Sequence, residues 1–182
     1  MTAERAGSTA DDLLRRLPGS PEAYPQKIDL VRELMLLVRL DAAAYRAASF
    51  LDDRILTATM SGAWLLASRV AEAVSFIRNP QPIHFIFHTG HVGSTLVSRL
   101  LDETGLVLPL REPLPLRTLA EAHDVLGRPE SLLSEAQFDG TLSMFMQLWA
   151  RSYPGTRASI VKATSSAGRL ATAILARHTA SR

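Results

Sequence analysis

The sequence predicts an α/β fold in which a parallel sheet is flanked by helices and preceded by a helical N-terminal extension. Three observations predict it. Ile83-His84-Phe85-Ile86-Phe87 is a short β-branched and aromatic run bounded by Pro82 and by Thr89-Gly90, the pattern of a buried strand. Residues 94–103 then place Leu96, Val97, Leu100 and Leu101 on one helical face and stop at Thr104-Gly105. A second apolar run, residues 106–110, ends at Arg111-Glu112-Pro113. Strand, helix and strand in that order form a unit whose two strands lie parallel, joined by a right-handed crossover.

The other elements follow from the N-terminus. Residues 1–24 carry Gly7, Ser8, Gly19, Ser20 and Pro21 without sustained periodicity and read as a flexible arm with one short helix over 11–16. In residues 25–40 the apolar positions Ile28, Val31, Met35 and Val38 recur at three and four residues, which predicts an amphipathic helix. Residues 45–56 read as a helix end with a loop or short strand, and residues 63–77 as another helix. Together 25–79 form the predicted helical extension. Asn79-Pro80-Gln81-Pro82 breaks it, because each proline biases its predecessor away from the helical region. The predicted α/β domain, 80–182, continues with helices over 114–125 and 130–152. A third strand over 158–161 ends at Lys162, and a helix covers 167–178. Phe145, Met146 and Trp149 are expected in the core.

Composition narrows the function classes. A chain of 182 residues without cysteine excludes a disulfide scaffold and a Cys-ligated metal site. With 20 Lys+Arg against 18 Asp+Glu, the formal charge of +2 gives no reason to expect nucleic acid as a partner. The charge is unevenly spread. Lys27 and Lys162 are the two lysines, and after the last acid, Asp139, come Arg151, Arg157, Lys162, Arg169, Arg177 and Arg182. The first 18 residues lack the apolar core of a secretory signal, and the apolar runs at 34–38 and 62–68 fall short of the roughly 20 residues that a membrane span needs. A cytoplasmic location without a membrane span is therefore expected.

The strongest functional signal is the loop after the first strand of the unit. His88-Thr89-Gly90-His91-Val92-Gly93-Ser94-Thr95-Leu96 joins a strand to a helix, where glycines let the backbone wrap an anion and the free N–H groups of the first helical turn point at it. Ser94 and Thr95 add hydroxyls. The motif G-x-x-x-x-G-K-[ST] is not met: His88 stands for its first glycine and Ser94 for its lysine. No strand-end Asp offers itself for magnesium, so an ordinary ATPase or GTPase is disfavoured and no metal is expected.

A strand followed by [KR]-S-G-[ST]-T and a Leu-rich helix is the 5′-phosphosulfate loop of sulfotransferases that use 3′-phosphoadenosine 5′-phosphosulfate (PAPS), and His91-Val92-Gly93-Ser94-Thr95-Leu96 resembles it. Arg111-Glu112-Pro113 resembles the Glu-Pro pair that ends the next strand in many bacterial members, and Val161-Lys162-Ala163-Thr164-Ser165 resembles a later Lys-containing segment. The resemblance implies a three-layer, P-loop-like fold with PAPS as co-substrate and a small-molecule hydroxyl or amine acceptor. It implies that Gly90, His91, Val92, Gly93, Ser94 and Thr95 bind the cofactor. Glu112 would take the acceptor proton, while His91 and Lys162 would supply positive charge to the leaving oxygen.

The chain departs from that pattern in two places. His91 occupies the usual Lys or Arg position, and an imidazole offers a fixed positive charge only when protonated. The family's 3′-phosphate segment, resembling L-x-x-R-[DN]-P, has no counterpart before Arg182, so an incomplete domain is expected, with a homo-oligomer or a partner completing the sheet edge. The same residues admit plainer readings. The loop can be a simple glycine turn, and Glu112 a carboxylate favoured by a helix N-terminus. His88 and His84 are expected to be structural, and His123 and His178 to sit as cations near helix C-termini. A non-catalytic phosphate- or nucleotide-binding module is the alternative to an enzyme, with a small-molecule kinase behind it.

Overall fold

The computed structural model describes residues 2–180, with side chains described for 9–177, so the side chain of His178 and all of Arg182 lie outside the described residues. Helix α1 (Thr2–Arg16) opens the chain. It is followed by strands β1 (Ala23–Asp29) and β2 (Leu34–Arg39), the short helix α2 (Ala42–Ala47), strand β3 (Gly62–Leu66) and helix α3 (Ala67–Val74). The second half runs β4 (Ile83–Ile86), α4 (Ser94–Asp102), β5 (Val107–Arg111), α5 (Leu114–Asp124), α6 (Glu135–Trp149), β6 (Ala158–Lys162) and α7 (Ala171–Ala180). Strands β1, β2 and β3 form an antiparallel sheet in that order. Strands β4, β5 and β6 form a parallel sheet with β6 in the middle. The α/β expectation with a parallel sheet and flanking helices therefore holds for residues 83–180.

The helical reading of 25–79 is corrected: the segment carries β2, β3 and most of β1, with only the helices α2 and α3 and one short 3₁₀ turn beside them. The three- and four-residue spacing of Ile28, Val31, Met35 and Val38 spans a tight turn rather than a helix face. Asp29 Oδ1 accepts the N–H groups of Val31 at 3.0 Å and Arg32 at 2.9 Å, and Glu33 takes a left-handed φ of 54°. The chain therefore reverses, and Ile28 pairs with Met35 across the hairpin. The start of the helix expected over 63–77 is also strand. Gly62 begins β3 so close to β2 that a Cβ there would lie 3.0 Å from Leu37 O and from Val38 Cγ1. Residues 2–24 are likewise more regular than a loose arm. α1 extends well beyond 11–16, and Leu13 and Leu17 are buried in the same apolar cluster as Leu37, Leu65, Phe145 and Trp149.

Two buried arginines fasten the layers. Arg111, at the end of β5, donates to Asp102 Oδ2 at 2.7 Å and to the carbonyls of Tyr45, Arg46 and Ala48 at 3.0–3.3 Å, closing the C-terminus of α2. This pull on Asp102 explains why α4 is turned over relative to its expected orientation. It buries Ser94, Ser98 and Asp102 and exposes Leu96, Val97 and Leu100. Arg151 donates to the carbonyls of Leu148, Leu17, Ser20 and Ala23 at 2.7–3.0 Å. These four contacts make it a structural clamp, and burial pushes its guanidinium down to about 10. Arg169 pairs with Asp124 at 2.7 Å, and Arg177 pairs with Asp139, so cations unopposed along the sequence find acids in space. No helix among the described residues is long and apolar enough to cross a membrane.

Candidate functional site

The carboxyl ends of three parallel strands meet on one side of the second sheet, the place where open α/β sheets gather ligands. From β4 comes the loop 87–93. Gly90 at φ 94°, His91 at φ 49° and Gly93 at φ 78° are all left-handed, and Gly93 is the residue from which α4 starts. Two glycines adopt this geometry freely, whereas His91 adopts it at a steric cost. The N–H groups of Ser94, Thr95 and Leu96 have no acceptor within the helix, as in any first turn, and Val97 N–H donates back to Gly93 O at 3.1 Å. Ser94 is buried, Thr95 half-buried, and His91 and Val92 stand exposed at the tip.

His88 fixes this loop to the neighbouring strand. Its Nδ1 accepts the Gly90 N–H at 3.0 Å, so Nε2 carries the ring proton and donates it to Ala163 O at 2.8 Å. Ala163 N–H in turn donates to Ile86 O at 3.0 Å. The expected structural role of His88 thus has a definite form: it binds the end of β4 to the residue after Lys162.

Strand β5 delivers Glu112 and β6 delivers Lys162. Glu112 sits at φ 52°, a left-handed conformation rare for a residue with a side chain, and such strain persists where the surroundings over-determine it. Its N–H donates to Lys162 O at 2.7 Å, and its Oε1 accepts from Lys162 Nζ. On its other side Leu51 N–H donates to Arg111 O at 2.7 Å, and Leu114 N–H donates to Leu51 O at 3.2 Å. The Lys162 side chain is 3% exposed and that of Glu112 21%, so the carboxylate is the member that reaches solvent. It opens into a polar cleft of about 490 Å³ that also receives Arg54, Arg117 and Arg169 as well as Thr164, Ser165 and Ser166.

Two contributors to this site escaped the sequence reading. The Phe50 ring has Arg54 Cζ at 3.9 Å from its centroid and Lys162 Nζ at 5.5 Å, so one aromatic ring serves two cations. Asp52 grips Arg54 through both carboxylate oxygens at 2.6–3.0 Å. The guanidinium holds Asp52 below the ordinary carboxylate range, and Asp52, with a smaller effect from Glu112, pushes Arg54 up. Asp52-Asp53-Arg54, an N-cap followed by a cation, was the available signal.

No family model matches this chain, and no curated protein or solved structure matches it. The chemistry available here follows from the side chains themselves. Glu112 and Lys162, predicted as partners in one site, are brought into contact. Residues 90–95 lie at the end of the adjacent strand, tied in through His88, and none of them lines the cleft into which Glu112 opens. Lys162 directs its ammonium at Glu112. The result is two neighbouring functions, a loop of backbone donors suited to an anion and a carboxylate with Oε1 held by a cation.

Proposed function

We propose that this protein is sulfotransferase-like, with a three-layer P-loop-like arrangement, and binds PAPS through residues 90–95. The sulfuryl group would move to a hydroxyl or amine acceptor in the cleft beside Glu112. The S–O bond to the 5′-phosphate breaks, a new S–O or S–N bond forms to the acceptor, and the acceptor proton passes to Glu112. 3′-Phosphoadenosine 5′-phosphate leaves. Backbone N–H groups at the start of α4 and the His91 side chain face the charge of the phosphosulfate, a preorganised set of dipoles where negative charge gathers. Lys162 acts on Glu112 as a positioning residue: it occupies Oε1 and leaves Oε2 for the acceptor proton.

One observation carries the reading. Glu112, strained at the end of β5, contacts Lys162 at the end of β6, while His88 ties the glycine loop of β4 to Ala163, the next residue. A second reading, a phosphate-binding module without turnover, draws support from the engagement of Lys162 by Glu112, which neutralises the nearest lysine. Calorimetric titration with PAPS, 3′-phosphoadenosine 5′-phosphate and ATP, followed by transfer of labelled sulfate to an acceptor panel, tests both. Preference for the 3′-phosphorylated nucleotides with transfer supports the enzyme. The same preference without transfer supports the module. Preference for ATP points to a kinase, and silence toward all three overturns nucleotide chemistry here.

A further inference from the structure

We infer that the acceptor is a single-chain amphiphile, with a hydroxylated head in the polar cleft and an alkyl tail in an apolar groove beside it; this rests on the sulfotransfer reading. The groove, of about 590 Å³, runs between the β1–β2 turn and α5 and is walled by Ile28, Val31, Trp64, Val125 and Leu132. Three of these side chains are strongly exposed: Val31 at 74%, Leu132 at 59% and Trp64 at 49%. Apolar side chains gathered along one groove, unlike single exposed ones, mark a place that binds something.

Groove and cleft are neighbours along α5. Glu121 on α5 lines both. Lys27, on the groove wall, pairs at 2.7 Å with Asp53, whose neighbours Asp52 and Arg54 line the cleft. A ligand whose reacting group sits at Glu112 therefore has an apolar groove within reach past Glu121.

The cleft defines the head. Each charge there has a partner, Arg54 with Asp52, Arg117 with Glu121, Arg169 with Asp124 and Glu112 with Lys162, so neither an anionic nor a cationic head is selected by net charge. Hydroxyls both donate and accept, and suit a wall that alternates guanidinium, carboxylate and the hydroxyls of Thr164 and Ser166. The tail is selected by burial, at a gain of roughly threefold to fourfold in affinity per methylene removed from water.

Trp64 provides a readout independent of turnover, because Trp149, the other tryptophan, is buried at 1%. Tryptophan fluorescence is followed while methyl, hexyl, heptyl and octyl β-glucosides are added below their micelle concentrations, to the unaltered chain and to Leu132→Asp. Leu132 is exposed, so the substitution leaves the core intact. The expected result is a saturable change whose affinity rises about threefold per methylene in the unaltered chain, and a flat response to tail length in Leu132→Asp. Affinity independent of tail length in the unaltered chain overturns the inference whatever PAPS does. Tail-dependent binding in a protein that calorimetry shows to ignore PAPS overturns the sulfotransfer reading and, with it, the role of the amphiphile as acceptor.

Discussion

Lys162 and Glu112 are joined twice, through Glu112 N–H to Lys162 O at 2.7 Å and through the ammonium to the carboxylate. The backbone bond extends the β5–β6 ladder by one residue, and the side-chain bond holds Glu112 in a left-handed conformation it would otherwise avoid. The two members are unequally buried, the lysine side chain being 3% exposed and the carboxylate 21%. Removing one partner of a buried pair leaves the other uncompensated, and the cost follows the burial of what is left. Glu112→Gln, which strands the deeper ammonium, is expected to destabilise the fold by about 3 kcal/mol, and Lys162→Met by about 1–2 kcal/mol. Urea unfolding of both and of the double variant checks this, with the double variant expected to recover most of the loss.

Binding and turnover divide between the loop and the carboxylate. Thr95→Ala removes a hydroxyl from the first turn of α4 and is expected to weaken PAPS binding by roughly tenfold or more, about the loss of one hydrogen bond to a charged group. Glu112→Gln is expected to leave PAPS affinity within about twofold and to lower transfer by roughly 10²-fold or more, as loss of a general base does. Calorimetry and a sulfate-transfer assay below the unfolding transition separate the two effects, and the reverse ordering would remove the role assignment.

The two loop histidines differ in kind. His88 donates to Ala163 O and accepts from Gly90 N–H. His88→Ala is expected to cost about 1–2 kcal/mol and to raise hydrogen exchange at Gly90. His91→Ala at the exposed tip is expected to change stability by less than about 0.5 kcal/mol. Exchange measured residue by residue distinguishes the two.

The pairing of Asp52 with Arg54 sets a pH dependence. Asp52 is held below the ordinary carboxylate range in the fold. Its contribution to stability is therefore complete above that range and is lost as pH falls through the lowered value. Asp52→Asn is expected to be less stable than the unaltered chain at about pH 6, with the gap narrowing as the pH is taken down toward about 2. Paired urea titrations at the two pH values give the gap directly.

The parallel sheet was legible because its strands are short apolar runs punctuated by Pro82, Gly90 and Gly105, and because its loop chemistry is local. The antiparallel sheet was not. Leu34-Met35-Leu36-Leu37-Val38 is apolar at every position, so period alone cannot tell strand from buried helix. The deciding feature was the Asp29 side chain closing the turn. The orientation of α4 was equally hidden. Its leucines describe an apolar face, yet the ion pair of Asp102 with Arg111, nine residues on, rotates that face outward. Glu112 and Lys162 could be named from the sequence as strand-end residues, whereas Phe50 and Arg54 reach the site from a segment without periodicity.

Arg151 shows most sharply how a charge changes meaning on folding. Along the chain it begins an acid-free stretch that invites an anion, but in the fold four backbone carbonyls, of Leu17, Ser20, Ala23 and Leu148, converge on its guanidinium. These carbonyls come from the end of α1, the turn after it, the start of β1 and the last turn of α6, so one side chain joins the N-terminal segment to the α/β half. A lysine keeps the charge but places its donors on one atom, and cannot span acceptors that the planar fork serves through three nitrogens. Arg151→Lys is therefore expected to destabilise by about 2–4 kcal/mol, the cost of leaving buried carbonyls unpaired. The loss should be local before it is global. Limited proteolysis is expected to cut first between residues 17 and 23 in the variant, while exchange protection at β6 is retained. Equal loosening of β6 and the N-terminal segment would show that the clamp serves the whole core rather than this junction.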